Sequence, residues 1–423
     1  MHMLVRTPAL SSKDQEVIAK IDIARDDLAL WLRAPRRWTG LLRRSTLGRV
    51  IRASNSIEGY VIPKDDAVAA AEGEAVDATE DTQLATEGYR RAMTHVLGLA
   101  TDPTFEWSAA VIKALHYMML EHHLDKLPGQ WRNGPVYVVD ERDRTVYEGP
   151  EFARVPSLMA EFVDNLSAGT AAVPSIVQGA MAHLNMAMIH PFKDGNGRMA
   201  RCLQTLVLGR SGTLDPIFSS IEEYLGRNTG PYYDILADVG HGSWRPDADA
   251  HPWLRFCLRA HYYQARTLLR RTREAETVMN VLEGEVTRLG LPERTKLALW
   301  DAATGYKVKN NTYRAAAEIS HGLASKDLMA LAGSGLLMPI GERKGRYYVA
   351  SPRLQDIRRN AAENRFIANP YEDNAKTTVA AATATAATPA GQLSLAISAP
   401  PSSSTGPTPP FVQGGRAPRP EEP

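Results

Sequence analysis

The sequence predicts a mainly α-helical protein: a helical bundle interrupted by one β-hairpin, then a small winged helix-turn-helix domain of α+β type and a low-complexity tail. Three observations carry this prediction. Apolar residues recur at three- and four-residue steps through most of the first 270 positions. One stretch, GPVYVVDERDRTVYEGP at 134–150, breaks that rhythm with two β-prone runs around a polar segment. Beyond residue 370 the composition shifts to Ala, Thr, Ser, Pro and Gly with almost no aromatic residues.

The elements follow in order. Residues 1–95 form an N-terminal helical region, in which DQEVIAKIDIARDDLALWL has the clearest helical period. Residues 96–270 form a core containing WSAAVIKALHYMML, LMAEFVDNL and IVQGAMAHLNMAMI, each with one or more apolar faces. The hairpin at 134–150 is punctuated by Pro128 and Gly129 before it and by Gly149 and Pro150 after it. Residues 275–352 read as helix, turn, helix and two-stranded wing, from TYRAAAEIS, GLASKDLMALAGSGLL and MPIGERKGRYYVA. Arg343, Lys344 and Arg346 on that wing would suit phosphate contacts, whereas Asp327 opposes Lys326 on the presumed recognition helix. DNA binding and protein docking both stay open for this unit. Residues 370–423 have too little apolar surface to order themselves and are expected to form a disordered tail.

Composition excludes several function classes. At 423 residues the chain suggests two or three domains. The 49 Lys and Arg against 48 Asp and Glu leave a formal charge of +1, so any nucleic-acid or membrane contact must be a local patch. The arginines between Arg33 and Arg52 are such a candidate patch for an acidic partner, although a solvated helix face is the expected role. Cys202 and Cys257 sit in apolar helical patterns and read as buried thiols in a reducing compartment. MHMLVRTPALSSKDQ lacks the apolar core of a signal peptide, and no window approaches about eighteen uncharged apolar residues. A cytoplasmic protein without a membrane partner is expected.

The chemistry is concentrated in HPFKDGNGRMAR, residues 190–201. Pro191 bars the preceding helix from continuing, so the chain turns and restarts as a helix around Asn196. Gly195, Asn196 and Gly197 then stand at a helix N-terminus, where exposed N–H groups and the helix dipole favour an anion. Arg198 and Arg201 extend such a site to a polyphosphate, and Asp194 is placed to hold a Mg²⁺ that bridges phosphate oxygens. His190 lies across the turn, where a neutral imidazole could accept a proton from an attacking hydroxyl. His183, seven residues earlier among apolar neighbours, reads as a hydrogen-bonded structural histidine, and the absence of HExxH and paired CxxC patterns predicts no zinc.

This run resembles the defining motif of the Fic family, HPFx(D/E)GNGRxxR, at every specified position. PGQWRNGPVYVV and IEEYLGRNTGPYYDILADV are similar to flanking family segments, so the resemblance covers residues 10 to 270. It implies a Fic-type helical bundle and a protein adenylyltransferase that moves AMP from ATP to a Ser, Thr or Tyr hydroxyl. In that reading His190 is the base and Asp194 the Mg²⁺ ligand. Gly195, Asn196 and Gly197 hold the α-phosphate, and Arg198 and Arg201 contact the β- and γ-phosphates. Gly197 stands where phosphoryl-transferring relatives carry lysine, which favours adenylyl transfer. Tyr232 and Tyr233 resemble an adenine-contacting pair, and Val136, Val138 and Val139 are the expected docking side of a flap that adds a target strand. SNSIEG at 54–59 is similar to the family's (S/T)xxxE(G/N) inhibitory motif, with Ser54, Glu58 and Gly59 at its fixed positions. Glu58 is then expected to pair with Arg201 in the space of the γ-phosphate. The partners this admits are a target protein, self-modification, a homodimer, and DNA through the winged helix. Two alternatives remain: a DNA-binding regulator that senses nucleotide without turnover, and removal of AMP by the same site, with Glu58 orienting a water.

Overall fold

A computed structural model describes residues 3–33, 38–139, 144–169, 173–212, 214–342 and 345–372. Helix α1 (Ser12–Arg33) packs along the later α12 (His251–Arg288), and α2 (Thr39–Ile57) carries the SNSIEG segment at its C-terminal end. After the short α3 (Ala67–Glu72), α4 (Glu80–Thr101) starts with the Thr79 hydroxyl accepting from Thr82 N–H, and α5 (Ala109–Leu120) starts with Ser108 accepting from Val111 N–H. Both are N-caps that satisfy orphan first-turn donors. Strands β1 (Tyr137–Val139) and β2 (Thr145–Glu148) follow, then α6 (Val155–Ala168), α7 (Ser175–Ile189) and α8 (Asn196–Arg210). The chain continues through α9 (Pro216–Ser219), α10 (Glu222–Arg227), α11 (Thr229–Gly240) and β3 (Gly242–Ser243) into α12.

Helices α7 and α8 form the centre: α7 is apolar nearly all round, and α8 is buried nearly all round even though it carries Arg198, Arg201 and Gln204. In α7, Ile176, Val177, Ala180, Leu184, Met186 and Ile189 are all buried. One hydrophobic cluster reaches α8 through Leu203 and Leu206, and another through Leu208 with Trp253 and Cys257 of α12. Both cysteines are buried and unbonded.

The hairpin forms where β-prone residues break the helical period, with Tyr137 opposite Glu148 and Val138 opposite Tyr147. It is part of a three-stranded sheet, because β2 also pairs in parallel with β3. The expected docking set needs correction. Val136 is buried at the base of the hairpin, beside Gly149, so Val136, Val138 and Val139 do not make one exposed face. The free feature on this side is the backbone of β1, the edge of the sheet.

The C-terminal unit comprises α13 (Thr295–Ala303), α14 (Asn310–Ala317), α15 (His321–Gly333), β4 (Leu337–Ile340), β5 (Tyr347–Ala350) and α16 (Pro352–Asn360). Strands β4 and β5 pair antiparallel, and Val308 bridges to Tyr348. Asp327 does not oppose Lys326 on the surface: it is buried and accepts from Arg294 at 2.7 and 2.9 Å and from the Tyr313 hydroxyl at 2.9 Å. Arg343 and Lys344 lie outside the described residues.

Two expected divisions have no counterpart. Residue 95 falls inside α4, and 270–275 falls inside the continuous α12. A single apolar cluster runs from Leu28 and Met93 through Leu203 to Leu299 and Leu354, so burial ties the regions together. The tail boundary also moves. Pro370 O accepts from Lys20 Nζ at 3.3 Å and the Tyr371 hydroxyl donates to Asp14 at 3.1 Å, so the chain is still packed there; residues 373–423 lie outside the described set. No helix among the described residues is long and apolar enough to cross a membrane.

Trp253 is fully buried and its indole N–H donates to Ala180 O at 2.8 Å. Trp253→Ala is expected to cost about 3–5 kcal/mol in urea unfolding, against less than about 0.5 kcal/mol for Ile23→Ala at an exposed position.

Candidate functional site

Pro191 ends α7 as the sequence predicts, and His190 takes the left-handed conformation at its C-cap, with φ of 51°. That turn points the imidazole off the helix axis. Nδ1 lies 3.1 Å from Ala187 O, which makes Nδ1–H the donor and leaves Nε2 with a lone pair. Burial pushes the His190 pKa down to about 4, with the nearby Arg132 acting the same way, so the ring is neutral near pH 7.

The loop that follows is held by its own polar groups. The Asn196 side chain accepts from Phe192 N–H and donates to Phe192 O, both at 2.9 Å. Phe192 stacks on His116 with centroids 3.6 Å apart. His116 in turn donates from Nε2 to Asp194 O and accepts at Nδ1 from Gly129 N–H, each at 2.9 Å. Gly195 has φ of 74°, and a Cβ there would lie 2.9 Å from Leu120 Cδ1, so glycine is required on both counts.

This geometry bears on two of the expected phosphate holders. The Asn196 side chain is spent on the loop, and Gly195 N–H donates to Asp194 Oδ1 at 2.6 Å. The first-turn amides of Asn196, Gly197 and Arg198 precede the first bond of α8, from Met199 N–H to Gly195 O, and are the ones placed for an anion.

On the other side of the turn α2 meets α8. Gly59 sits at φ of 88° and Tyr60 N–H returns to Asn55 O at 3.0 Å, a left-handed closure that places Glu58 at the helix end. The buried Arg201 guanidinium donates from Nε to the Ser54 hydroxyl at 2.8 Å, and from Nη2 to Ser54 O at 3.0 Å and Glu58 Oε1 at 2.7 Å. Burial acts to lower the Arg201 pKa; the Glu58 carboxylate outweighs it, so the group stays charged. A Cβ on Gly197 would stand 2.4 Å from Glu58 Oε1, so the missing side chain leaves room for this contact. Arg198 is buried with Nε and Nη1 unpartnered, its guanidinium 5.1 Å from the Tyr60 ring centre.

His190, Glu58, Gly197, Arg201, Tyr232, Tyr233 and Val138 line one cavity of about 60 Å³. Tyr232 is buried and its hydroxyl donates to His183 Nε2 at 3.0 Å, while the Tyr233 hydroxyl donates to Ile57 O at 3.1 Å. His183 continues to Gln204 at 2.6 Å, and Gln204 to His261 at 2.9 Å. This buried relay fixes the wall behind Arg201, in keeping with a structural His183.

The Fic/DOC family profile matches residues 106–208, from the approach to α5 through α8. The chain contains a Fic domain. A protein named protein adenylyltransferase Fic from Nematostella vectensis is 27% identical over 265 residues, 60% of this chain and 55% of that protein. Protein adenylyltransferase fic-1 from Caenorhabditis briggsae is 35% identical over 119 residues, 26% of this chain and 22% of its own length. The chain thus spans about half or less of these curated relatives. A Fic family protein from Desulfovibrio desulfuricans G20 shares the fold, with TM-score 0.53 and 21% identity over 82% of this chain and 98% of that one.

Within the Fic domain, Arg132 is the main residue the sequence reading did not assign. It donates to His190 O and Gly134 O at 2.9 and 2.8 Å and also to Pro150 O, fastening both ends of the hairpin to the histidine turn. Its only signal was the similarity of PGQWRNGPVYVV to a flanking family segment. Asp194 fits a Mg²⁺ ligand: Oδ1 is engaged by Gly195, and Oδ2 is 3.7 Å from Lys126 Nζ. One carboxylate oxygen beside a phosphate site is a usual protein contribution to Mg²⁺. A separate grouping, Asp81, His122 and His123, also brings possible metal-ligand atoms within 4.8 Å of one another.

Burial lowers His116 and His190 to about 4 and His183 and His261 to about 3. Below about 6.5 the unfolded chain binds protons that these rings refuse, so stability falls as pH drops through the window from 6.5 toward 4. Glu222, raised to about 7 by burial, acts in the opposite sense, since its contribution is lost as pH rises through 7. The histidines outnumber it, so the urea midpoint at pH 5.5 is expected below that at pH 7; a higher midpoint at pH 5.5 contradicts the burial account.

Proposed function

We propose that this chain is a protein adenylyltransferase that moves AMP from ATP to a Ser, Thr or Tyr hydroxyl of a target protein or of itself, and that Glu58 holds it silent. The observation that carries this is the convergence of the His190 lone pair, the first-turn amides of α8 and the Arg201 guanidinium on one cavity. The adenylyltransferase names of the curated relatives support the same activity.

In the proposed reaction the α8 amides and Arg198 position the phosphates, which supplies most of the rate in phosphorus chemistry. His190 Nε2 takes the proton as the target oxygen bonds to the α-phosphorus. The bond from that phosphorus to the bridging oxygen breaks, and pyrophosphate leaves. Mg²⁺ held by Asp194 would supply charge neutralisation on the phosphates. The free edge of β1 offers N–H and C=O groups to an extended target segment, so docking runs through the backbone.

Inhibition rests on space and charge. With Glu58 on Arg201 the cavity holds about 60 Å³, far below the roughly 300 Å³ of a small ligand site. A charge-assisted hydrogen bond of this kind contributes about 1.5–3 kcal/mol, enough to favour the silent state and still be reversible.

Intact-mass analysis after incubating the Glu58→Gly protein with ATP and Mg²⁺ should show an added AMP, and His190→Ala in that background should slow its formation by about 10²- to 10⁴-fold. An adduct that forms equally fast without His190 overturns the assigned base.

A further inference from the structure

The largest cavity described lies away from His190. It measures about 690 Å³ and is a partly open cleft lined by α2, α10, α12, α13, β5 and α16. Its lining is strongly basic, with cations outnumbering carboxylates nine to three. Most of this charge is paired: Arg271 is bidentate to Glu223 at 2.6 and 2.8 Å, Arg227 and Arg49 also meet Glu223, Arg270 meets Glu274, Arg359 meets Asp356, and Arg52 donates to Ile62 O. The side chains of Lys64, Arg358 and Arg365 form no hydrogen bond or ion pair among the described residues. Although exposed at the rim, Lys64 and Arg358 are partly desolvated by the cavity wall, which lowers the pKa of both, and neighbouring arginines push the same way. Like charges gathered around a concave wall raise the local positive potential and favour a counter-ion.

The wall contributed by α2 changes the expectation of a solvated arginine face. Arg49 and Arg52 line this cavity together with Ala53 and Ser56. Those positions follow three- and four-residue steps and share one stripe of the helix. Ser54 and Glu58 leave the same helix toward Arg201.

We propose that this basic cavity is a second anion site, one that takes a small, multiply phosphorylated molecule. Its volume falls in the range of small-ligand sites. Arginine forks bind phosphate oxygens in pairs, and several of them around one cavity suit a compact polyanion. The depth selects against nucleic acid: the Arg49 and Arg271 side chains are only 18% and 15% exposed, out of reach of a duplex backbone.

Inorganic tripolyphosphate is the probe, titrated calorimetrically into the full chain at low salt. Binding is expected in the parent and, with less than threefold change, in Arg198→Gln, which weakens the anion site at α8. Arg358→Glu/Arg365→Glu should weaken it at least tenfold, and Lys64→Glu should weaken it in the same direction. Arg358, Arg365 and Lys64 are exposed at the rim, so these variants retain the fold. The proposal is overturned if no heat is seen up to millimolar tripolyphosphate, if the charge reversals leave binding unchanged, or if Arg198→Gln alone abolishes it. A DNA duplex that binds through Arg358 and Arg365 where tripolyphosphate does not would overturn it as well.

Discussion

The buried guanidinium of Arg201 constrains everything around it. Removing a cation from water costs several kcal/mol unless it is paired and hydrogen-bonded, and here Ser54 and Glu58 do both. Several otherwise separate features follow. Gly59 must turn left-handed so that α2 ends with Glu58 facing α8. Gly197 must lack a side chain so that the carboxylate can approach. The Tyr232, His183, Gln204 and His261 relay must satisfy its own polar groups, because all four side chains are buried behind the pair. A nucleotide phosphate would replace a carboxylate at the same cation, so the group that stabilises the closed arrangement is also the one a substrate needs.

The legible part of this site is the local part. His190, Pro191 and the glycines act over a few residues, so their turn, the new helix and the anion-facing amides could be inferred from the run at 190–201. Contacts across long sequence separations were less accessible. Arg132 reaches His190 across 58 positions, and His116 reaches Asp194 across 78. The loop-holding bonds of the Asn196 side chain were not legible either, because residue type announces a polar group without saying which backbone it serves. The same limit explains the flap: alternating valines mark a strand, but only packing reveals that Val136 is buried. The continuity of α12 was not legible for a related reason, since a helix can cross from one apolar cluster to another without any change in its period.

Helix α2 is the structural link between the two cavities. One stripe carries Arg49 and Arg52 into the basic cavity, and its C-terminal end delivers Glu58 to Arg201. Arg44 and Arg49 further fasten it to Asp301 and to the Tyr306 hydroxyl in the C-terminal unit. A rigid element held at both ends transmits displacement well, which gives the segment carrying Glu58 a physical connection to the region expected to be a winged helix.

A double-mutant cycle on the inhibitory pair tests the central claim most directly. AMP incorporation from labelled ATP would be timed in the parent, in Glu58→Gly, in Arg201→Ala and in the double variant. If Glu58 acts through Arg201, Glu58→Gly raises the parent rate at least tenfold, and the same change has little effect once Arg201 is absent. Equal rates in the parent and Glu58→Gly, or a gain that persists without Arg201, would contradict the account.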